Sequence, residues 1–254
     1  MSLKVGLLAT SELYEEGLRK RVVGITSSAK ILMQIFDALE PLITIGVTPI
    51  YLKTQAQGFA CRLGVFLAPE QISFCRFGQV HPSITEYLEE PLEPGEAFTL
   101  DIWLQHQSYH ADLARIYTLA PYRRELLHLK RSALSIQEAA VRSIRAGERL
   151  LSVVQAAQQA ATKAGVYIVE GACGHGIGQR LHEHPEIAFC YNAGAPFSRF
   201  KAGSIITVEP LIALKPVSLT IHDDGRVTLP SEVPFVYAEA MVYIGEKQTT
   251  VIGR

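Results

Sequence analysis

The chain has 254 residues, and its 24 Lys and Arg residues nearly balance its 25 Asp and Glu residues, for a formal net charge of −1. This balance argues against nucleic acid or an anionic membrane as the main partner, because proteins that bind either carry a basic surface. Hydrophobic residues make up 48% of the chain, enough to bury the core of one large domain or of two fused halves.

Nothing in the sequence indicates export or membrane insertion. No apolar run reaches the roughly 18 residues that a membrane helix needs. The first ten residues, MSLKVGLLAT, hold one lysine and an apolar run too short for a signal peptide. The four cysteines form no CxxC pair, and we expect them to be free thiols of a cytoplasmic protein: Cys61, Cys75, Cys173 and Cys190.

The hydrophobic pattern predicts alternating groups of helices and strands. Apolar residues recur every three or four positions over residues 18–42, which predicts one long helix with a single buried face. Residues 49–66 are ambiguous between a second, shorter helix and an apolar segment, and residues 72–77 are compatible with a strand. The remaining predicted elements are helices at 123–146 and 147–164, and strands at 97–104, 112–119, 166–169, 204–214, 217–221, 226–229 and 235–244.

A weak internal repeat relates two parts of the chain. In each part a glycine is followed six residues later by an acid, through an apolar strand: Gly95 by Asp101, and Gly203 by Glu209. Helices come before strands in both parts. This order predicts an α+β fold of two similar halves, about 15–120 and 121–254, within a single domain that spans 1–254.

Four acids interrupt apolar strands, where acids are normally rare. If the hairpin of the first two strands is centred between residues 106 and 107, Asp101 and Asp112 are direct cross-strand neighbours, with Cβ atoms roughly 5 Å apart. Two like charges that close are destabilising unless a cation lies between them. Glu209 and Glu239 interrupt later strands in the same way.

Residues 171–185 add four glycines and three histidines to this set. Four carboxylates and one imidazole suit two hard or borderline divalent ions, such as Co²⁺, Mn²⁺, Fe²⁺ or Zn²⁺. Two such ions can share a hydroxide and polarise a carbonyl, which is the chemistry of metal-assisted amide hydrolysis. Taken singly, each acid is also compatible with a solvated strand face and each histidine with a structural hydrogen bond, so both interpretations stay open. The sequence has no dinucleotide fingerprint, phosphate loop or nucleophile elbow.

Several segments resemble the motifs of one family. They are Asp101 followed eleven residues later by Asp112, Gly174-His-Gly-Ile-Gly178 with His182-Glu183-x-Pro185, Thr207-Val-Glu-Pro210, and Glu239. On these residues the chain resembles the type I methionine aminopeptidases over nearly its whole length. The resemblance implies a pita-bread fold, in which two pseudo-symmetric halves of helices and antiparallel sheet surround a site for two divalent ions.

The resemblance also implies roles for single residues. Asp112 and Glu239 would bridge the two ions, and Glu209 would hold one ion and assist proton transfer with the bridging water. His182 would contact the scissile carbonyl or the oxyanion, and His81 would lie near the substrate amine. The implied metal ligands are Asp101, Asp112, His175, Glu209 and Glu239, and the implied substrate-binding residues are His81, Cys61, Leu181 and His182. No role is implied for His184.

The sequence departs from the family pattern around the substrate rather than around the metal. Leu181 replaces an aromatic residue that commonly lines the methionine pocket, and Arg226 stands where a tryptophan is frequent. The loop 58–73 lacks a typical tyrosine-bearing segment. Two more segments differ from the family pattern: the tripeptide Pro-Ser-Ile after His81 and the dipeptide Ala-Met after Glu239. We therefore expect a complete metal site beside an altered substrate pocket.

The first functional hypothesis is a monomeric, cytoplasmic aminopeptidase that removes the initiator methionine from nascent chains, with the ribosome as a place of action. It predicts no direct partner among nucleic acids or membranes. One alternative is a Xaa-Pro peptidase of the same superfamily, although such enzymes usually carry an extra N-terminal domain. Another is a non-catalytic binding protein on the same fold, which should have lost metal ligands that this chain retains.

Overall fold

Four α-helices and fourteen strands make up the part of the chain that the computed structural model describes. It covers residues 2–76, 79–81, 88–191, 198–223 and 226–253, and the side chains of residues 2–13 and 79–81 lie outside it. The helices are α1 (Ser2–Leu39), α2 (Pro49–Arg62), α3 (Arg124–Ser143) and α4 (Leu151–Ala164). Short 3₁₀ turns at Glu40–Leu42 and Pro69–Gln71 follow α1 and α2. The helix predicted at 18–42 exists, but α1 begins 16 residues before the predicted start and ends at Leu39. The ambiguous segment 49–66 is a helix as far as Arg62.

The strands form four small antiparallel sheets. The strands are β1 (Ile72–Cys75), β2 (Gln79–His81), β3 (Ala97–His106), β4 (Tyr109–Thr118), β5 (Tyr167–Ile168), β6 (Cys173–Gly176), β7 (Glu183–Ala188), β8 (Ile205–Val208), β9 (Ile212–Ala213), β10 (Thr220–Ile221), β11 (Val227–Thr228), β12 (Phe235–Val236), β13 (Ala240–Ile244) and β14 (Thr249–Ile252). The sheet orders are β1-β3-β4, β10-β11-β2, β12-β9-β5 and β14-β13-β8-β6-β7. Strands β2, β6, β7 and β14 were not predicted from the sequence.

Helices α1 and α2 cover the β1-β3-β4 sheet and form the first core with it. The apolar face of α1 is completely buried there, at Ile25, Leu32, Ile35, Phe36 and Leu39. By length and composition alone, the segment Tyr14–Leu42 could span a membrane, with a mean hydropathy of 1.3 over its most apolar window. The sequence prediction concerned an uninterrupted apolar run of about 18 residues, and one helix that passes the hydropathy test is weak evidence for a membrane span. The buried face of α1 explains why, because the core helix of a soluble protein passes the same test.

Helices α3 and α4 form the second core with the five-stranded sheet. Leu129 and Ile136 of α3 and Val153 of α4 pack with Ile206 of β8 and Val242 of β13. The predicted boundary between the halves, at 120/121, falls in the connection from β4 to α3. That the two halves form a repeat stays a prediction.

The two halves meet where β4 passes the start of β13. Ala114 and Glu239 form an isolated antiparallel bridge, in which the Glu239 amide donates to the Ala114 carbonyl at 3.1 Å. From α3, the buried side chain of Gln137 donates to the carbonyls of Val208 and Ala238 at 2.9 and 2.6 Å. These carbonyls directly precede Glu209 and Glu239, so one amide side chain fixes both acid-bearing strand ends.

The register of the β3–β4 hairpin differs from the predicted one. Asp101 lies opposite Ala114, and Trp103 lies opposite Asp112, so the direct pairing of the two aspartates is wrong. The turn consists of Gln107 and Ser108, which both have positive φ (48° and 69°), a conformation that suits a two-residue hairpin turn. The aspartates are diagonal neighbours instead. They still share one face of the sheet, because Asp112 lies two residues from Ala114, the cross-strand partner of Asp101, and side chains two residues apart on a strand point to the same face.

Candidate metal centre

Acids from three strand regions and one histidine converge at the seam between the halves. Asp112 lies in β4, His175 in β6 and Glu239 just before β13; each is buried, and one potential ligand atom from each lies within 4.8 Å of the others. Glu209, directly after β8, is part of the same cluster. The Nε2 atom of His175 is 3.6 Å from Glu209 Oε1 and 3.8 Å from Asp112 Oδ2.

The local bonding of His175 leaves one ring nitrogen available as a ligand. Its Nδ1 atom is 3.0 Å from the Gly176 carbonyl, so Nδ1 carries the proton and donates it there. Burial lowers the pKa of His175 to about 4, and the imidazole is therefore neutral at pH 7. The lone pair of Nε2 then faces the carboxylates, in the form of histidine that binds metals.

The carboxyl groups are in an environment that disfavours their negative charge. Burial, followed by the charges of Asp101 and Glu209, raises the pKa of Asp112 well above its ordinary value. Burial raises the pKa of Glu209 to about 8, and burial together with the charge of Asp112 raises that of Glu239. Such a buried group of like charges needs positive charge to be stable when ionised.

Two buried oxygens of this cluster make no hydrogen bond within the described part of the chain. They are Oδ1 of Asp112 and Oε1 of Glu239. Buried polar atoms are normally paired, and a divalent cation would satisfy both the oxygens and the charge. The residues present therefore fit bound divalent metal.

Asp101 is held by a tyrosine that sequence reasoning missed. The hydroxyl of Tyr237 donates to Asp101 Oδ2 at 2.5 Å, and the Cys75 sulfur lies 3.2 Å from the same hydroxyl. The backbone of Tyr237 is fixed in turn by the Thr99 hydroxyl on β3. Its position two residues before Glu239 was the available signal, because residues two apart in an extended chain share a face.

One threonine supports both His175 and Glu209. The Thr207 hydroxyl donates to Glu209 Oε1 at 2.6 Å and accepts from the His175 amide at 2.9 Å. Strand β6 can come this close to β8 only with glycine at 174, since a Cβ there would lie 2.4 Å from the Thr207 carbonyl oxygen.

Residues predicted to contact substrate have different placements. His182 is exposed, and its ring meets the His175 ring edge-on, with centroids 4.4 Å apart. Leu181 is partly buried against the first core. The backbone of His81 pairs with Val227, but its side chain lies outside the described residues, as do residues 82–84. Cys61 is an exposed thiol in the last turn of α2, so its assignment to the pocket stays a prediction.

Two further departures from the family pattern also lie in the described part of the chain. Ala240 and Met241 are buried in β13, where small or apolar side chains suit the core. Arg226 directly precedes β11, which pairs with the strand that contains His81. His184 is exposed on β7.

Comparisons of the sequence and of the fold with known proteins point to the same family of metallopeptidases. Residues 24–245 match metallopeptidase family M24. The methionine aminopeptidase of Treponema pallidum is 27% identical over 217 residues, which cover 84% of this chain and 85% of that protein. The crystal structure of methionine aminopeptidase from Rickettsia prowazekii has a similar fold, with a TM-score of 0.84 at 19% identity, over 93% of this chain and 98% of that one.

The fold is shared with peptidases of other specificity. The structure of a Xaa-Pro dipeptidase from Bacillus anthracis matches with a TM-score of 0.74 at 21% identity, over 92% of this chain and 61% of that one. The helix-flanked antiparallel sheets and the buried acids at their seam agree with the sequence match. The chain belongs to metallopeptidase family M24, has the pita-bread fold, and is a metal-dependent hydrolase.

Proposed function

We propose that the protein is an aminopeptidase that removes the N-terminal methionine of newly made polypeptides and uses two divalent ions. The observation that carries this proposal is the buried cluster of acids around the free Nε2 atom of His175, next to the exposed ring of His182. The named function of the Treponema pallidum relative supports the substrate.

The ligands divide between the two halves of the chain. Asp101 and Asp112 come from the β3–β4 hairpin, and His175, Glu209 and Glu239 come from the second half. Asp112 and Glu239, each with a buried carboxylate oxygen that has no hydrogen-bond partner in the described part of the chain, would be central among the residues that hold the ions. When bound, divalent ions in such a site polarise a carbonyl and lower the pKa of water.

The protein's own groups orient the substrate and move protons. His182 is placed to donate a hydrogen bond to the oxygen of the scissile carbonyl as negative charge develops on it. The side chain of Glu209 is 18% exposed and is held by Thr207, so its carboxylate can accept a proton from the attacking water. It can then deliver that proton to the leaving amine.

A second candidate is the cleavage of Xaa-Pro bonds. The structural likeness to a Xaa-Pro dipeptidase favours it, as does Leu181 in place of a pocket aromatic. The decisive experiment loads metal-free protein with Co²⁺ or Mn²⁺ and compares release of the first residue from Met-Ala-Ser with cleavage of Met-Pro and Ala-Pro.

Each outcome of that experiment has one meaning. Release of methionine from Met-Ala-Ser supports the first proposal. Cleavage of Met-Pro and Ala-Pro without cleavage of Met-Ala-Ser replaces it with the second. A folded protein that binds metal but cleaves none of them contradicts both. A folded protein that binds no divalent metal even when supplied is the non-catalytic alternative.

We also propose that the enzyme acts as a cytoplasmic monomer on chains that leave the ribosome. Light scattering after size-exclusion chromatography tests the monomer, and co-sedimentation with translating ribosomes tests the site of action. A stable dimer, or recovery of the protein with membranes, would contradict these parts of the proposal.

A further inference from the structure

The short segment between β6 and β7 presents two of the residues that were assigned to the substrate side, Leu181 and His182. We call residues 177–182 the histidine loop, because it ends at His182 and also carries Leu181. The backbone of this loop is tied to the five-stranded sheet at its start, where the Ile177 amide donates to the Ile205 carbonyl at 3.0 Å. Side chains from other elements and the backbone of β4 hold the rest of the loop.

Arg21, on α1, reaches across to the histidine loop. One guanidinium nitrogen, Nη2, donates to the Ile177 carbonyl and to Glu183 Oε2, both at 2.7 Å. The other carboxylate oxygen of Glu183 accepts from the Arg180 amide at 3.2 Å. The Arg21–Glu183 ion pair therefore holds the loop at its beginning, its middle and its end.

The ion pair packs directly against Gly178 of the histidine loop. A Cβ atom at Gly178 would lie 2.6 Å from Glu183 Oε1 and 2.8 Å from Arg21 Nη2, so the loop closes directly on the two side chains. The side chains of Arg21 and Glu183 are 32% and 16% exposed, which shields their charges in part from water.

Strand β4 holds the loop as well. The Gly178 carbonyl accepts from the His110 amide at 2.8 Å, and His110 is two residues before Asp112. The histidine loop is thus fixed between α1 and the strand that contributes an acid to the metal centre. This arrangement sets the distance between His182 and the cluster.

We propose that Arg21 and Glu183 are positioning residues of the active site, which fix the histidine loop so that His182 and Leu181 meet the substrate. This inference rests on the proposed function. A catalytic donor must lie within a fraction of an ångström of its productive position, and a displacement of about 1 Å costs on the order of 100-fold in rate. The N-terminal helix is then part of the substrate machinery and not only a cover for the sheet.

The test compares Arg21→Ala, Arg21→Lys and Glu183→Gln in the metal-loaded enzyme. We expect kcat/KM to fall 10- to 100-fold in Arg21→Ala, mainly through kcat, with the metal content unchanged. Arg21→Lys should restore part of the rate, because an ammonium can still reach the carboxylate. The matched control is Lys20→Ala, which removes an exposed ion pair with Glu16 from the same helix and should leave the rate unchanged.

A double-variant cycle separates positioning from general damage. If Arg21 acts through His182, Arg21→Ala should cause little further loss in a His182→Ala background. Fully additive losses, or a loss of metal in Arg21→Ala, would overturn the inference. A rate equal to that of the parent enzyme would do the same.

Hydrogen exchange gives a readout that does not depend on catalysis. The Arg180 amide, which Glu183 protects, should exchange faster in Arg21→Ala and at the parent rate in Lys20→Ala. If the parent protein cleaves no peptide, the proposed function fails and the exchange rates decide whether the ion pair holds the loop. Unchanged exchange at Arg180 would overturn the inference in either case.

Discussion

The hydroxyl of Tyr237 donates its proton to Asp101 from within the core, and burial together with the charge of Asp101 raises the pKa of this tyrosine. The phenol therefore stays protonated and remains a donor at any working pH. Hydrogen bonds of this kind orient metal ligands, and their loss typically weakens metal binding by 10- to 100-fold.

We expect Tyr237→Phe to fold normally and to bind divalent metal about 10- to 100-fold more weakly, because the ring is kept and only the donor is lost. Competition with a chelating dye measures this affinity. Tyr243→Phe, in the neighbouring strand β13, is the control and should bind metal like the parent protein. Equal affinity in both variants would contradict the role of Tyr237.

Removal of a metal ligand should reduce metal binding and turnover more than the loss of the Tyr237 hydroxyl does. We expect Asp112→Ala and His175→Ala to abolish turnover, because each removes a group at the centre of the cluster. Turnover and bound metal per chain are the measurements. His184→Ala is the matched control, since His184 is exposed on β7 and has no assigned role; it should keep full activity. Unchanged turnover in either ligand variant would refute the assigned site.

The sequence was most informative about the acids that interrupt apolar strands. It was least informative about contacts between residues that are far apart in the chain. Acids inside apolar strands stand out because their position is costly without a partner, and Asp112, His175 and Glu239 are indeed brought together. For Tyr237 the sequence held only a weak signal, its position two residues before Glu239, because a tyrosine in an apolar segment is ordinary. Only the fold places Asp101, 136 positions away, beside it.

Among the elements, α3 has a polar residue on the face that packs against the sheets. Gln137 is 4% exposed and donates to two carbonyls that direct the chain into Glu209 and Glu239. Both carbonyls would lose their donor if the amide were removed.

We expect Gln137→Leu to lower the free energy of unfolding by about 2–4 kcal/mol, because two buried acceptors lose a hydrogen bond. Urea unfolding of the metal-free protein measures the change. Gln155→Leu makes the same substitution at an exposed position of α4 and should change the stability by less than about 0.5 kcal/mol. Similar stability in the two variants would contradict the proposed support.

The predictability of an element followed its hydrophobic pattern. Strands β3 and β4 have strong patterns and were predicted close to their bounds, whereas the predicted start of α1 at residue 18 lies 16 residues after its actual start at Ser2. Strands β6 and β7 were missed because CGHG and EHPEIA lack the apolar and β-branched residues typical of strands, and pairing with their neighbours overrides the weak preference. The hairpin register was wrong because no Asn-Gly pair marks the turn at Gln107 and Ser108.

For the whole molecule, the acid cluster links stability to pH. In the metal-free protein the pKa of Glu209 is raised from 4.5 to about 8, so the fold prefers the protonated carboxyl. The stability that this provides is complete below pH 4.5 and is lost as the pH rises through 8. The pKa of His175 is lowered from 6.5 to about 4, so this residue makes the fold more stable as the pH rises. That increase in stability is complete by about pH 6.5.

We therefore expect the melting temperature of the chelator-treated protein to fall between pH 6.5 and 8. With divalent metal present the decrease should disappear, because ionised carboxylates are the form that binds metal. Circular dichroism during heating measures both series. In Glu209→Gln the decrease should be smaller, and a melting temperature of the metal-free parent that rises over this range would contradict the expectation.

The backbone bridge between Ala114 and Glu239 lies at the seam between the two halves, and the acids around it belong to segments that are distant in the sequence. Metal bound by these acids would stabilise the contact between the two halves of the chain. Dissociation of the metal and separation of the two halves would then be coupled. The resistance of the protein to a chelator would thus report how often its two halves part.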